Sequence, residues 1–263
     1  MARTSNANCF AARRSSHEDD RRLRGAASRR RPAGAVHVWD AGSAAAVAEA
    51  GAKAIATGSL SLAGAQGYDD GEGMPFAAVL ESVRRIAATI DLPLTVDFET
   101  GYAEDERELA RNAAALLDAG AIGCNLEDRL LDSAALREPD AQARRIAAVA
   151  AQGLFVNART DIFLGPLLAG ANPDRGDLVE KAIDRAAVYR EAGAGCFFVP
   201  GLRDPDLIAA LCEAVSLPVN VMWLDGMDGA RLARLGAARI SYGPAPWQQA
   251  MTRLTEAARA AMN

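Results

Sequence analysis

The sequence predicts an α/β fold, a (β/α)8 barrel of the TIM type. Three observations carry that expectation. From residue 35 onward, short apolar runs alternate eight times with longer stretches rich in Ala, Leu, Arg and Glu. The longer stretches place apolar residues at i, i+3 and i+4, the spacing of one helix face. A small repeat marks where helix gives way to strand: Glu49-Ala-Gly-Ala52, Asp118-Ala-Gly-Ala121, Glu191-Ala-Gly-Ala194 and Arg234-Leu-Gly-Ala237.

Taken in order, strands are expected at 35–39, 54–57, 94–98, 123–126, 155–158, 196–199, 219–222 and 239–242. Helices are expected to follow most of them, among them 76–90, 104–119, 141–151, 177–192 and 246–261. The glycine of each repeat supplies the left-handed residue that ends a helix. Pro93 and Pro218 lead into their strands, because proline cannot continue a helix. Eight units in roughly 230 residues fit a barrel. A doubly wound sheet is the alternative, but no G-x-G-x-x-G follows the first strand. Residues 35–263 thus read as a single catalytic barrel domain. Residues 1–34 read as an Arg-rich extension, either partly disordered or with one helix at 18–27 closing the bottom of the fold.

Composition narrows the function. Half of the 263 residues are hydrophobic, enough for a large core. No apolar run reaches the roughly 20 residues of a membrane span, and no apolar signal segment follows the start, so no membrane partner is expected. Residues 1–35 hold nine arginines against Glu18, Asp19 and Asp20, which leaves 20 basic and 31 acidic residues in 36–263. An acidic globular part argues against nucleic acid as the partner. The four cysteines show no C-x-x-C spacing and read as reduced thiols in a cytoplasmic chain. His17 and His37 are the only histidines, which excludes a His-rich zinc site. His37 lies near the start of strand one and is expected to be packed or at the surface, away from the chemistry.

Active sites of such barrels sit at the carboxyl ends of the strands. Asp97 and Glu99 end strand three, and Glu127 ends strand four. Residues i and i+2 of a strand share a face, so these acids are expected to project together. Gathered carboxylates call for a cation. Mg2+ suits them, since it takes oxygen ligands and keeps several waters; Mn2+ is the substitute ion. Arg159, ending strand five, offers a planar fork to a carboxylate or phosphoryl group. The turn Thr57-Gly58-Ser59 can present backbone N–H groups to an anion. Asn220, at the end of strand seven, is a candidate substrate contact, and Tyr102 a candidate proton or hydrogen-bond donor. Asp128 and Arg129 belong either to a gating loop or to a solvated turn.

The order and spacing of several pieces together resemble the isocitrate lyase/phosphoenolpyruvate mutase superfamily across nearly all of 36–263. They are Trp39-Asp-Ala-Gly-Ser43, the turn at 57–59, Tyr68-Asp-Asp70-Gly, Asp97-Phe-Glu-Thr-Gly-Tyr102, Asn125-Leu-Glu-Asp128, Asn157-Ala-Arg-Thr-Asp161 and Phe198-Val-Pro-Gly201. The resemblance implies Mg2+ chelated by a 2-oxo carboxylate substrate and an enolate-like species during cleavage. It implies Asp97 as direct ligand, Asp70, Glu99 and Glu127 acting mainly through water, and Arg159 on the substrate carboxylate. It also implies a homodimer or homotetramer.

One segment departs from the pattern. The superfamily's lyases carry Lys-Lys/Arg-Cys-Gly-His after strand four, whereas this chain reads Glu127-Asp-Arg-Leu-Leu-Asp-Ser133, without Cys or His. The Lys and Asn of the mutases match roughly Ser133 and Ala135. The expectation is therefore a Mg2+-dependent lyase or decarboxylase that breaks a C–C bond in a small 2-hydroxy or 2-oxo carboxylic acid. Decarboxylation suits the missing loop acid, because it needs an electron sink more than a dedicated donor. The alternatives are a phosphonopyruvate-type C–P mutase or hydrolase acting on a phosphonic acid, and a non-catalytic 2-oxo acid binding protein.

Overall fold

A computed structural model describes residues 33–133 and 135–262; the extension, with its expected helix at 18–27, lies outside the described residues. The strands are β1 (Ala33–Ala35), β2 (His37–Val38), β3 (Ile55–Thr57), β4 (Leu94–Asp97), β5 (Gly123–Glu127), β6 (Phe155–Arg159), β7 (Cys196–Val199), β8 (Val219–Met222) and β9 (Arg239–Ser241). Every neighbouring pair is parallel. β1 and β2 are one stretch interrupted at Val36: Ala33–Ala35 pairs with β9, and His37–Val38 pairs with β3. That single stretch closes the ring, so the nine segments make the expected eight-stranded barrel.

The helices are α1 (Ala41–Glu49), α2 (Ser59–Ala65), α3 (Phe76–Thr89), α4 (Glu106–Asp118), α5 (Pro139–Ala150), α6 (Leu164–Leu168), α7 (Gly176–Glu191), α8 (Pro205–Ala214), α9 (Gly229–Arg234) and α10 (Ala245–Met262). α4 starts two residues later than the apolar spacing suggests. Asp105 is extended and its side chain accepts the Glu108 N–H at 2.7 Å, capping the helix there. None of these helices is long and apolar enough to cross a membrane.

Strand residues alternate between two faces, and here the faces differ in chemistry. Val38, Val96, Leu126, Ala158, Val221 and Ile240 join the main hydrophobic cluster between strands and helices. The alternate positions, including His37, Asp97, Asn125, Asn157, Asn220 and Arg239, stay out of that cluster and form the barrel's inner face. Barrel interiors are usually filled with branched aliphatic residues. This one is polar, with Asn157 donating to Asn125 at 2.7 Å and Asn220 donating to Ser241 at 3.0 Å. Cys124, Cys196 and Cys212 are free and buried, as expected.

After β7 the chain turns at Gly201, whose φ is +95°. A Cβ there would lie 2.7 Å from the backbone nitrogen of Leu164. Only glycine lets this turn come so close to the start of α6. Gly201→Ala is expected to lower stability by about 1–3 kcal/mol, through the positive φ and the backbone contact together. Chemical denaturation checks this, and an unchanged midpoint would show that the turn relaxes freely.

Candidate active site

Asp97 is the last residue of β4, and its neighbours fix its carboxylate. Its N–H donates to the Thr57 hydroxyl at 3.0 Å, and its Oδ2 accepts the Ser59 N–H at 3.1 Å. The turn at 57–59 thus orients Asp97, and the Ser59 N–H is committed to it. Oδ1 is buried without a hydrogen-bond partner. Asp97 lines a cavity of about 360 Å3 with Gly58, Ser59, Asp70, Asn125 and Arg159.

Arg159 ends β6 in register with Glu127 of β5. Its Nη1 lies 2.8 Å from Glu127 Oε2, and its Nε and Nη2 grip Asp161 at 2.6 and 2.9 Å. Both carboxylates hold the guanidinium firmly cationic, against a burial cost that works the other way. Burial pushes Glu127 up to about 8, opposed by Arg159 and Arg129. Behind them, Asp128 is fully buried: Oδ1 accepts the Asp161 N–H at 3.0 Å, and Oδ2 accepts from Arg185 and Tyr189. Asp128 is therefore neither gate nor solvated turn but an anchor for Asp161. The Arg129 side chain reaches Glu127 at 3.3 Å.

Glu99 behaves differently from the strand pattern. β4 stops at Asp97, and Glu99 has φ +52°. The i, i+2 rule no longer holds once the chain leaves the extended region. Glu99 instead accepts the Glu72 N–H and the Tyr102 hydroxyl, both at 2.7 Å. Glu72 in turn accepts from the Thr100 N–H, the Thr100 hydroxyl and the Tyr102 N–H. This reciprocal knot ties the loop bearing Asp70 to the loop after β4. Tyr102 also stacks on Phe76, with ring centroids 5.1 Å apart.

The chain matches the phosphoenolpyruvate phosphomutase family over residues 24–262. It belongs to that family. The crystal structure of a putative phosphonomutase from Burkholderia cenocepacia J2315 superposes with a TM-score of 0.87 at 44% identity, covering 92% of this chain and 99% of that one. A probable 2-methylisocitrate lyase 2 of Corynebacterium glutamicum is 34% identical over 145 residues, covering 52% of this chain and 44% of its own. A phosphonopyruvate hydrolase, crystallised with oxalate and Mg2+, shares the fold with a TM-score of 0.78 at 23% identity, covering 90% of this chain and 84% of that one. The chain thus belongs to the isocitrate lyase/phosphoenolpyruvate mutase superfamily of enzymes.

Of the site residues expected from sequence, the family member's cavity gathers Asp97, Asp70, Arg159, Gly58 and Ser59. Thr57 and Glu127 stand just behind them as supports. Asn220 is fully buried and bonded to Ser241, and neither it, Glu99 nor Tyr102 lines the cavity. His37 is a correction in the other direction. It is buried in the cavity wall, its Nδ1 has no hydrogen-bond partner, and burial followed by Arg239 lowers its pKa to about 4. The break at Val36 divides the first strand, so what reads as its beginning lies close to the site. Alternation with Val38 was the available signal. The apolar wall of the cavity, built by α6 and the segment after β8, carried no motif at all.

Burial pushes the Glu99 carboxyl up to about 7; the Tyr102 hydroxyl opposes this, and Asp97 and Asp70 add to it. Between the ordinary carboxyl range and about 7 the folded state holds the extra proton, so stability falls as pH rises through that window and the loss is complete above it. Two to three pKa units correspond to about 3 kcal/mol. In metal-free protein, Glu99→Gln is expected to flatten part of the stability loss between about pH 5 and about pH 8. Parallel stability–pH curves for parent and variant would contradict the assignment.

Proposed function

We propose that this enzyme is a Mg2+-dependent lyase that breaks a C–C bond in a 2-oxo or 2-hydroxy carboxylic acid, with decarboxylation of an oxaloacetate-type acid as its simplest form. One observation carries the reading: a buried Asp97 oxygen without a partner shares a cavity with Asp70 and the guanidinium of Arg159. A free, buried carboxylate oxygen is a donor that a hard divalent ion accepts. Among the described residues, no three His, Cys, Asp or Glu side chains converge enough to hold a metal ion alone. Mg2+ does not require such a cluster, since it binds through few protein carboxylates and completes its shell with water and substrate oxygens.

In this reading Asp97 holds the ion directly, with Asp70, Glu127 and Glu99 disposed further out and acting through water. Bound there, Mg2+ would polarise the substrate carbonyl and stabilise developing negative charge. Arg159 binds the carboxylate end, and Glu127 and Asp161 keep its fork aimed before substrate arrives. Thr57 and Ser59 hold Asp97 in a single orientation. Gly58 leaves room beside the His37 ring, whose Cδ2 would lie 3.6 Å from a Cβ at that position. Among the described residues of the loop after β5, none lines the cavity, and the loop carries no Cys, which favours a decarboxylation over a cleavage that needs a loop acid. Assembly as a homodimer or homotetramer, in the cytoplasm, belongs to the same proposal. It is supported by α10, eighteen residues with no buried side chain, on which Leu254 and Met262 are exposed.

The relation to a putative phosphonomutase favours a second reading, C–P bond chemistry on a phosphonopyruvate-type acid. A steady-state panel with Mg2+ separates the two: release of pyruvate or glyoxylate from carboxylic substrates supports the lyase, and turnover of phosphonopyruvate alone replaces it. Oxalate binding without any turnover points to the non-catalytic binder. Asp97→Ala is expected to abolish Mg2+ binding and reduce activity by at least about 100-fold, the scale of losing a principal electrostatic group. Activity that persists in excess chelator would reject the metal-dependent reading.

A further inference from the structure

The cavity has two unlike halves. One half is the acid-binding end, with Asp97, Asp70 and Arg159. The opposite wall is apolar, built by Leu164, Leu167 and Leu168 of α6 with Phe198, Met222 and Trp223. α6 is five residues long and buries none of its side chains, so its leucines are not spent on the core. Positions i, i+3 and i+4 lie on one helix face, and here that face borders the cavity.

The wall is held in fixed relation to the acid end. Asp161, which grips Arg159, accepts the Gly165 N–H on its backbone oxygen at 2.9 Å, and Gly201 admits the backbone of Leu164 from below. Charge separates the halves further. Arg159 is the one guanidinium lining the cavity among the described residues, and Glu127 and Asp161 already share it. The charged group nearest in sequence to the apolar wall is Asp225, an anion. Beyond the carboxylate that an oxaloacetate-type acid loses, a further carboxylate or a phosphonate seated on the leucines would be desolvated without a cation, which is strongly unfavourable.

We propose that, beyond the acid head and the bond that breaks, the substrate carries an uncharged alkyl or aryl group seated on α6 and Trp223. The inference rests on the 2-oxo acid reading given above and names its substrate class. Three probes of known chemistry test it in the full-length protein with Mg2+, by calorimetry: oxalate, 4-methyl-2-oxopentanoate and 2-oxoglutarate. Oxalate reports the acid end alone. The other two share the 2-oxo acid head and differ in an apolar or charged tail. The branched acid is expected to bind at least tenfold tighter than 2-oxoglutarate. Leu167→Arg is expected to erase or invert that ratio while oxalate affinity stays within about twofold, which also shows that the variant is folded.

Equal or tighter binding of 2-oxoglutarate by the parent, with oxalate bound, overturns this inference and leaves the 2-oxo acid reading standing. So does an unchanged ratio in a Leu167→Arg variant that still binds oxalate. If the parent binds none of the three, the 2-oxo acid reading falls and the inference with it.

Discussion

The arrangement depends on one buried cation held between two carboxylates. Arg159 faces Glu127 across the β5–β6 pairing and folds its fork onto Asp161 two residues along its own chain. Register decides this contact. A slip of one residue would turn the inward set of a strand to the other face, and it would separate Glu127 from Arg159. Burying such a group is costly, and removing one partner leaves a stranded charge. The constraint therefore reaches outward: Asp161 is pinned by Asp128, and Asp128 by Arg185 and Tyr189 of α7. A helix on the outside of the barrel thereby helps to aim a guanidinium on the inside.

A second knot works on the opposite side of Asp97. Glu72, Glu99 and Tyr102 all have positive φ, at 62°, 52° and 54°. Non-glycine residues in that region carry strain of about 1–3 kcal/mol each and persist only where their surroundings over-determine them. Here the surroundings are each other. The Glu72 side chain satisfies the backbone of Thr100 and Tyr102, while Glu99 satisfies the backbone of Glu72. The effect is to hold the Asp70 loop against the cavity. Glu99 and Tyr102 look chemical in a linear reading because they are acidic and phenolic. In three dimensions they also brace the loop that carries an acid elsewhere.

That contrast explains what the chain reveals before folding. The barrel was legible because eight repeats of a strand period and a helix period are long-range patterns, and their glycine closures recur. Asp97, Arg159, Gly58 and Ser59 were legible because they sit where extended strands end, whereas Asp70, in the loop after α2, was legible only through the resemblance. The projection of Glu99 beside Asp97 was misread because the alternation rule is valid only while the backbone stays extended, and the chain turns left-handed just past Asp97. His37 is packed, as expected, but its nearness to the site was missed because a one-residue interruption at Val36 moves the effective end of the first strand. The leucine wall was illegible for another reason. A five-residue helix, Leu-Gly-Pro-Leu-Leu, is too short to show periodicity and reads as loop.

The electrostatics of the cavity follow from these ties. Asp97, Asp70, Glu127 and Asp161 converge on the same end of the barrel, and the guanidinium of Arg159 is already divided between two of them. Arg239 is buried deeper in the barrel, with Nε and Nη2 lacking partners. It acts on His37 and Asp97 through space and bonds to neither. An acid excess of this kind has two ways of relief: protons or a cation. The raised carboxyls of Glu99 and Glu127 are the first way. A divalent cation at Asp97 would be the second, and it would draw those carboxyls back toward their ionised forms. The Asp97 oxygen left without a hydrogen bond is what makes the second way chemically direct, because no protein donor has to be displaced to reach it.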